Sequence, residues 1–590
     1  MFEVAQKLRA FLDRQSRIHL SLLFIPMLGV AILEMASIGM IIPFIHILIS
    51  PNKKSVITEK IFEILPNFSP DERLFWVSLL FMALFALKNI VLFFMIFIIN
   101  HTIQRKLAIF VQRLFVRYLS QPLAFHLKKN SAEIIRNLHS SAARAFESVR
   151  LLLMITLEGV LVLVAFFLLI LIEPTFTSIA ALVLVIFAFI FHQFAGPHFV
   201  KWGRRSQFHE VRMIKTISES LRSIRDVKLL NVLGYLSSAF AVETNGLAKN
   251  NARLASSQAL PRLFVETIVI FGFAATVLGL MLVKDSIEEI IATLALFGMA
   301  SLRLMPSMNR ILTSAVDLKN RLASVDVIYS DLTETQFFDL DESKNKSSLL
   351  IPFNKNIVFS NIGYRYPNSE RYAISDFSIE IKKGNSVGII GPNGSGKSTA
   401  LDLMLGLLQP DSGSILVDGF DIQQNIDGWQ RQIGYVPQEI YLIDNSLRRN
   451  IAFGLEDEEI NEDRVVKAAA MANLDAVIEQ MPAGLDTYVG EGGSKLSGGQ
   501  RQRVAIARAL YRDPNVLIFD EATASLDKES ETEVAETVES LRGIKTVVIV
   551  AHSPNIVRKC DRIFVLSNGH IENTDYLKDI ESIEKKFFSD

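Results

Sequence analysis

The sequence predicts a membrane α-helical bundle of six transmembrane helices with long cytoplasmic stalks, followed by an α/β domain built on a phosphate-binding loop. Three observations predict it. Six apolar stretches, near 20–48, 74–99, 151–172, 175–196, 261–283 and 287–310, have the length of membrane helices, a hydrocarbon core needing about 20 residues. From about Ile351 the pattern changes to β-branched runs alternating with helical ones, among them Ser386–Ile390 and Thr546–Val550. Directly after the first of these runs comes Gly391-Pro-Asn-Gly-Ser-Gly-Lys-Ser398. The resulting division is a membrane domain over 1–332, a linker over 333–350 that contains the polar run Asp339–Ser348, and a nucleotide-binding domain over 351–590.

Composition agrees. Of 590 residues 50% are hydrophobic, and the mean hydropathy of +0.31 is high for a soluble protein. The net charge of −1 conceals an uneven distribution and says nothing about partners. Cys560 is the only cysteine, which excludes an internal disulfide framework and a cysteine metal cluster; it reads as a small packing residue.

In chain order, Phe2, Leu8, Phe11 and Leu12 recur at roughly helical spacing among charged residues and predict an interfacial amphipathic helix. The apolar stretch behind it is too long for a cleavable signal. Segments 101–150 and 198–260 have helix-forming composition with almost no Gly or Pro. Read as helix pairs, they reach ~30 Å past the bilayer, at 1.5 Å of rise over ~20 residues. Segment 101–150 carries nine Lys and Arg against Glu133 and Glu147, which keeps it in the cytoplasm. The Glu173-Pro174 turn, the Lys284–Glu289 connection and segment 50–73 then face outward; Ile57–Leu65 reads equally as a short surface helix or a solvated loop.

The chemistry sits in the second domain. Gly391, Gly394 and Gly396 let backbone N–H groups close around phosphates, with Asn393 and Ser395 between them and Thr399 in the first turn of the helix that follows. Lys397 reaches the terminal phosphates and Ser398 offers a hydroxyl to Mg2+. Downstream, the apolar run Val516–Phe519 ends in Asp520, placed for Mg2+, and Glu521, placed to polarise the attacking water. Two acids ending a strand are ordinarily structural; with a phosphate loop in the same chain they read as a hydrolytic site.

Leu496-Ser-Gly-Gly-Gln500 has the form of the signature motif of ABC transporters, and the chain resembles that family over essentially its whole length. The resemblance implies ATP and Mg2+ as cofactors. It places Ser497, Gly498 and Gly499, with Gln500, on the γ-phosphate of ATP held by another subunit, and Tyr366 on adenine. It gives Gln438 to Mg2+ sensing and to coupling, His552 to the γ-phosphate, and Ser525–Asp527 to a loop crossing between subunits. One copy of each motif cannot close such a composite site, so the resemblance implies a dimer, with intact motifs favouring two identical chains. Gln121–Lys128 and Ile224–Leu230 resemble the family's coupling helices, and spans preceding the ATPase on one chain resemble exporters.

Ionisable residues within spans default to function. Lys88, Arg262, Arg303 and Arg310 fall in the inner half of the bilayer or at its cytoplasmic edge and are expected to form a basic belt that attracts an anionic group. The competing reading pairs them with Glu34, Glu158 or Glu266. Pro261–Glu266 and Arg303–Arg310 are similar to lipid-linked oligosaccharide flippases of bacterial protein glycosylation, which implies a bacterial inner membrane with the ATPase in the cytoplasm. Lipid A, peptide and multidrug exporters are the alternatives. Soluble ABC ATPases of DNA maintenance insert a long coiled coil and have no spans, so no nucleic-acid partner is expected; an ATP-gated channel is disfavoured by Glu521 and His552, which suit turnover.

Overall fold

A computed structural model describes residues 2–40, 44, 70–172, 174–283, 287–335, 349–367, 369–521, 528–551 and 557–573. Two compact units are present, one formed by Met1–Gln121 with Lys128–Phe338, the other by Pro122–Leu127 with Asp339–Asp590.

The first unit is helical. Helices α1 (Phe2–Phe11), α2 (Arg14–Leu22) and α3 (Phe24–Gly39) precede four helices of about fifty residues and one of 31: α4 (Pro70–Leu119), α7 (Ala142–Ile172), α8 (Pro174–Arg222), α10 (Leu233–Val283) and α11 (Ile287–Glu334). Between them in sequence lie the short helices α5 (Leu123–Lys128), which but for Lys128 belongs to the second unit, α6 (Ser131–Arg136) and α9 (Ile224–Leu229), and a π-turn over Asn137–Ser141. Five of the predicted spans each fall on one of these helices and the first, 20–48, runs over α2 and α3 with its last residues mostly outside the described ones; the expected stalks are continuations of the long helices, which connect through α5 and α9. A 50-residue helix is about 75 Å long, more than twice the hydrocarbon core. Among the described residues four stretches are long and apolar enough to cross a membrane: Arg14–Gly39, Leu74–Leu119, Ser131–Leu171 and Leu233–Ala275. Their outward faces carry exposed Phe75, Phe93, Phe94, Phe97 and Leu163, a surface suited to lipid. Pro197, Pro261 and Pro306 sit inside long helices, which neighbouring helices make tolerable.

One expectation fails here. Helix α1 does not present its apolar face to a membrane: Leu8 and Phe11 are 3% and 6% exposed, the Phe11 ring lies 6.0 Å from that of Phe110, and Lys7 pairs with Asp326 at 2.9 Å. The chain offers α1 an apolar partner in α11 and α4, and burial there outcompetes the interface. Ile57–Leu65 lies outside the described residues.

The second unit holds two sheets. Strands β1 (Asn356–Tyr364), β2 (Ile374–Lys382), β4 (Ser412–Val417) and β5 (Phe420–Asp421) form an antiparallel sheet in the order β2-β1-β4-β5. The other has the order β10-β9-β3-β8-β7-β6, with β3 (Ser386–Ile390), β6 (Ile433–Val436), β7 (Val516–Asp520), β8 (Thr546–Ala551), β9 (Arg562–Ser567) and β10 (His570–Asn573). Its five strands β9-β3-β8-β7-β6 are parallel, and β3 and β8 are buried throughout, which is why they read as continuous apolar runs. Cys560 is buried in the core below this sheet, which pushes its thiol up to about 12.

Candidate nucleotide site

In a parallel sheet the C-terminal strand ends form the ligand edge. The order β3-β8-β7 brings to that edge the loop after β3, the end of β8 at Ala551 and Asp520 at the end of β7. The loop opens helix α12 (Lys397–Met404). Glycine is required at two points: a Cβ on Gly391 would stand 2.0 Å from the Leu566 carbonyl oxygen, and Gly396, at φ +105°, would meet the Ala373 carbonyl oxygen at 2.6 Å. Inside the loop, buried Lys397 donates from Nζ to the carbonyls of Gly391 at 2.9 Å and Pro392 at 3.0 Å. Burial pulls its ammonium below the ordinary value, against the opposing pull of Glu521 and Asp520. The Ser395 hydroxyl is buried with no hydrogen-bond partner among the described residues, while Asn393, Gly394 and Ser398 are exposed. An orphaned hydroxyl in a loop with no room for a Cβ at Gly391 or Gly396 fits a phosphate group.

Tyr366 is held over the start of α12 by a 3.2 Å hydrogen bond between its hydroxyl and that of Thr399, and by an edge-on contact with Tyr364 at 5.1 Å. Asp520 accepts from the Tyr435 hydroxyl at 3.1 Å, and Glu521 accepts from Gln438 Nε2 at 2.6 Å. Glu521 has φ +47°, an uncommon backbone state for a side-chain-bearing residue, with its N–H donated to Val550 at 2.9 Å. Among the described residues no group of three or more His, Cys, Asp or Glu could hold a metal. A Mg2+ ion at this edge would need oxygens from the nucleotide itself beside those the protein offers.

Helix α13 (Gly498–Leu510) begins with a reciprocal cap: the Ser497 hydroxyl accepts from Gln500 N at 3.3 Å and Gln500 Oε1 accepts from Ser497 N at 2.9 Å. Ser497 and Gly498 are exposed and Gly499 buried, so the positive helix end faces outward. His552 and Ser525–Asp527 lie outside the described residues. Two residues went unassigned at the sequence level. Tyr435 stands three residues before Gln438 but had no role. Asp402, in the middle of α12, has no motif to flag it; burial, then the charge of Asp520, pushes its carboxyl up to about 6.

Three of the four cations of the expected basic belt lie beside carboxylates. Buried Lys88 lies 3.3 Å from Glu34 and 4.4 Å from the centre of the Phe85 ring; Arg310 lies 2.5 Å from Glu158, and Arg262 2.7 Å from Glu266 one turn on. Each cation has the carboxylate of the competing reading, because a lone charge in hydrocarbon is costly and a neighbouring acid offsets that cost. The Arg303 side chain lies outside the described residues.

Together these features define a membrane protein whose helical bundle is fused to a phosphate-loop ATPase. The profile of the ABC transporter transmembrane region matches residues 36–303, and that of the ABC transporter ATPase matches 374–524. The chain belongs to the ABC transporters, with both parts on one polypeptide, and hydrolyses ATP with Mg2+ to drive transport. It is 28% identical over 84% of its length to the ATP-dependent lipid A-core flippase 2 of Colwellia psychrerythraea, covering 84% of that protein. It is 32% identical over 60% of its length to the ATP-dependent lipid A-core flippase of Cupriavidus metallidurans, covering 59%. A bacterial Atm1-family ABC exporter solved with ATP bound has the same fold, with a TM-score of 0.78 at 21% identity and 96% of each chain covered.

Proposed function

We propose that the protein is a homodimeric flippase that moves an amphipathic, anionic lipid-linked substrate, a lipid-linked oligosaccharide, from the inner to the outer leaflet of a bacterial inner membrane, with its ATPase in the cytoplasm. The observation that carries this is the meeting, on one sheet edge, of the Gly391–Ser398 loop with Asp520 and Glu521, in a chain whose other unit exposes apolar helix faces. ATP would lie on the loop with Tyr366 at adenine, Ser398, Asp520 and Gln438 would hold Mg2+, whose charge would offset that of the phosphates, and Glu521 would polarise water. Gln438, already bonded to Glu521, holds that carboxylate in place. His552 and the partner chain's signature helix complete the γ-phosphate site. Closure of two ATPase units around ATP switches the membrane units outward, and hydrolysis resets them.

Arg262 and Arg310 keep 68% and 47% of their side chains exposed, so a phosphate-bearing head can exchange for their carboxylate partners. A second reading, lipid A as substrate, is favoured by the names of the relatives. Proteoliposomes separate the two: a fluorescent lipid-linked oligosaccharide, a fluorescent lipid A, a neutral drug and a peptide are compared for ATP-dependent movement. Oligosaccharide-lipid flipping above the others is the expected result; movement of the drug or peptide alone would overturn the lipid reading.

A further inference from the structure

The chain passes between its two units at three points, after Gln121, after Leu127 and after Phe338. Residues flanking all three meet in one buried polar cluster of the membrane unit. Asp331, 3% exposed and near the end of α11, accepts from the Tyr118 hydroxyl at the end of α4 and pairs with Lys129, the residue after α5. It also accepts from Asn137 Nδ2 at 2.7 Å, and Asn137 opens the π-turn. Arg136 and Ser141 donate to the Asn137 side-chain oxygen at 2.8 and 3.3 Å, which fixes which end of the amide faces Asp331. One turn away, Arg117 donates to the Thr335 hydroxyl and to the Leu332 carbonyl, both at 2.6 Å, closing the otherwise orphaned carbonyls at the end of α11.

We propose that Asp331 is a positioning residue for coupling: its carboxylate clamps the membrane-unit residues on either side of α5, Tyr118 and Lys129, to the end of α11, so that the points where the chain leaves the membrane unit toward the ATPase unit are held together in one rigid block. Two features set this cluster apart from ordinary packing. Its polar groups bond one another across three helix ends and the π-turn, and buried ionic groups are weak sources of stability. The cluster also sits beside a π-turn, a distortion that recurs at functional positions.

The test uses full-length protein in nanodiscs on a Cys560→Ser background, with spin labels at exposed Leu79 and Leu171 on the second and third spans. The distance between the labels is compared with and without ATP and vanadate. The variant is Tyr118→Phe/Lys129→Met/Asp331→Leu, which removes the Asp331 carboxylate and its Lys129 counter-ion together and leaves Arg136 on the Asn137 oxygen; Asp331→Ala alone serves as the second variant. The expected result is a folded triple variant with basal ATPase within about twofold of the parent and an ATP-driven label shift reduced by more than half. A full shift in the folded triple variant would overturn the clamp, and so would loss of ATPase together with the shift. No transported substrate enters, so the outcome is independent of which lipid is moved. It rests on alternating access, and parent protein whose labels do not move would bring down that reading and the clamp with it.

Discussion

Glu521 combines a left-handed backbone, a hydrogen bond from Gln438 and a place beside the phosphate loop. Its carboxylate is therefore aimed by two constraints, and Glu521→Gln is expected to retain ATP binding while lowering turnover by at least about 100-fold, the lower end of what a positioned base contributes. Equilibrium binding of a fluorescent ATP analogue beside a phosphate-release assay checks this; near-normal hydrolysis would remove Glu521 from the mechanism. Asp402 makes the complementary case, a titratable group whose effect is on stability. Its carboxyl is raised to about 6 by burial and by Asp520. Between its ordinary value and about 6 the folded state holds the proton that the unfolded state has released, so stability falls as pH rises through that window and the penalty is complete above it. Asp402→Asn should raise the unfolding temperature by a few degrees at about pH 7.5, less than the full shift would give because water partly screens the site, and by clearly less at about pH 5. An equal gain at both would show that the charge is not the cause.

At the scale of elements, the long helices and the central strands were legible because their physics is local. Spans need only length and apolarity, β3 and β8 are apolar throughout because both their faces are covered, and the phosphate loop is fixed by glycines within eight residues. What escaped depends on partners distant in sequence. Nothing in Phe2–Phe11 says that Phe110 waits for it, and although Glu34 was one of the candidate partners, nothing around Lys88 decides between that pair and an open basic belt. Such pairing is testable. Lys88→Met alone strips buried Glu34 of its ammonium partner, at a cost of about 3–5 kcal/mol, whereas Lys88→Met/Glu34→Gln should recover most of the folded yield in a fluorescence-detected gel-filtration assay. If the double variant is no better than the single, the pair does not join α3 to α4. Close helix approach was equally invisible: a Cβ on Gly203 of α8 would stand 2.1 Å from the Asn320 carbonyl oxygen of α11, while one on Gly29 meets nothing within 4 Å. Gly203→Leu should cost at least about 1–3 kcal/mol in thermal unfolding and Gly29→Leu almost nothing.

For the whole molecule, the decisive property is that the exposed Ser497 turn and the Gly391–Ser398 loop each occur once per chain, so the proposed sites are shared between two chains. Sharing makes a prediction that no single-chain site can mimic. Lys397→Ala removes the ammonium of one loop, and Ser497→Arg blocks one signature turn. A dimer of either variant alone has both composite sites damaged. In a mixed dimer of the two, the lesions fall in the same site, because the loop of the first chain faces the signature turn of the second. The other site then has an intact loop and an intact turn. Differently tagged chains, co-expressed and purified through both tags, should therefore hydrolyse ATP well above either parent dimer, approaching half the unmodified rate if the two sites turn over independently. Were each loop served by the turn of its own chain, every site in the mixture would carry one lesion, and the doubly tagged dimer would be as inactive as its parents.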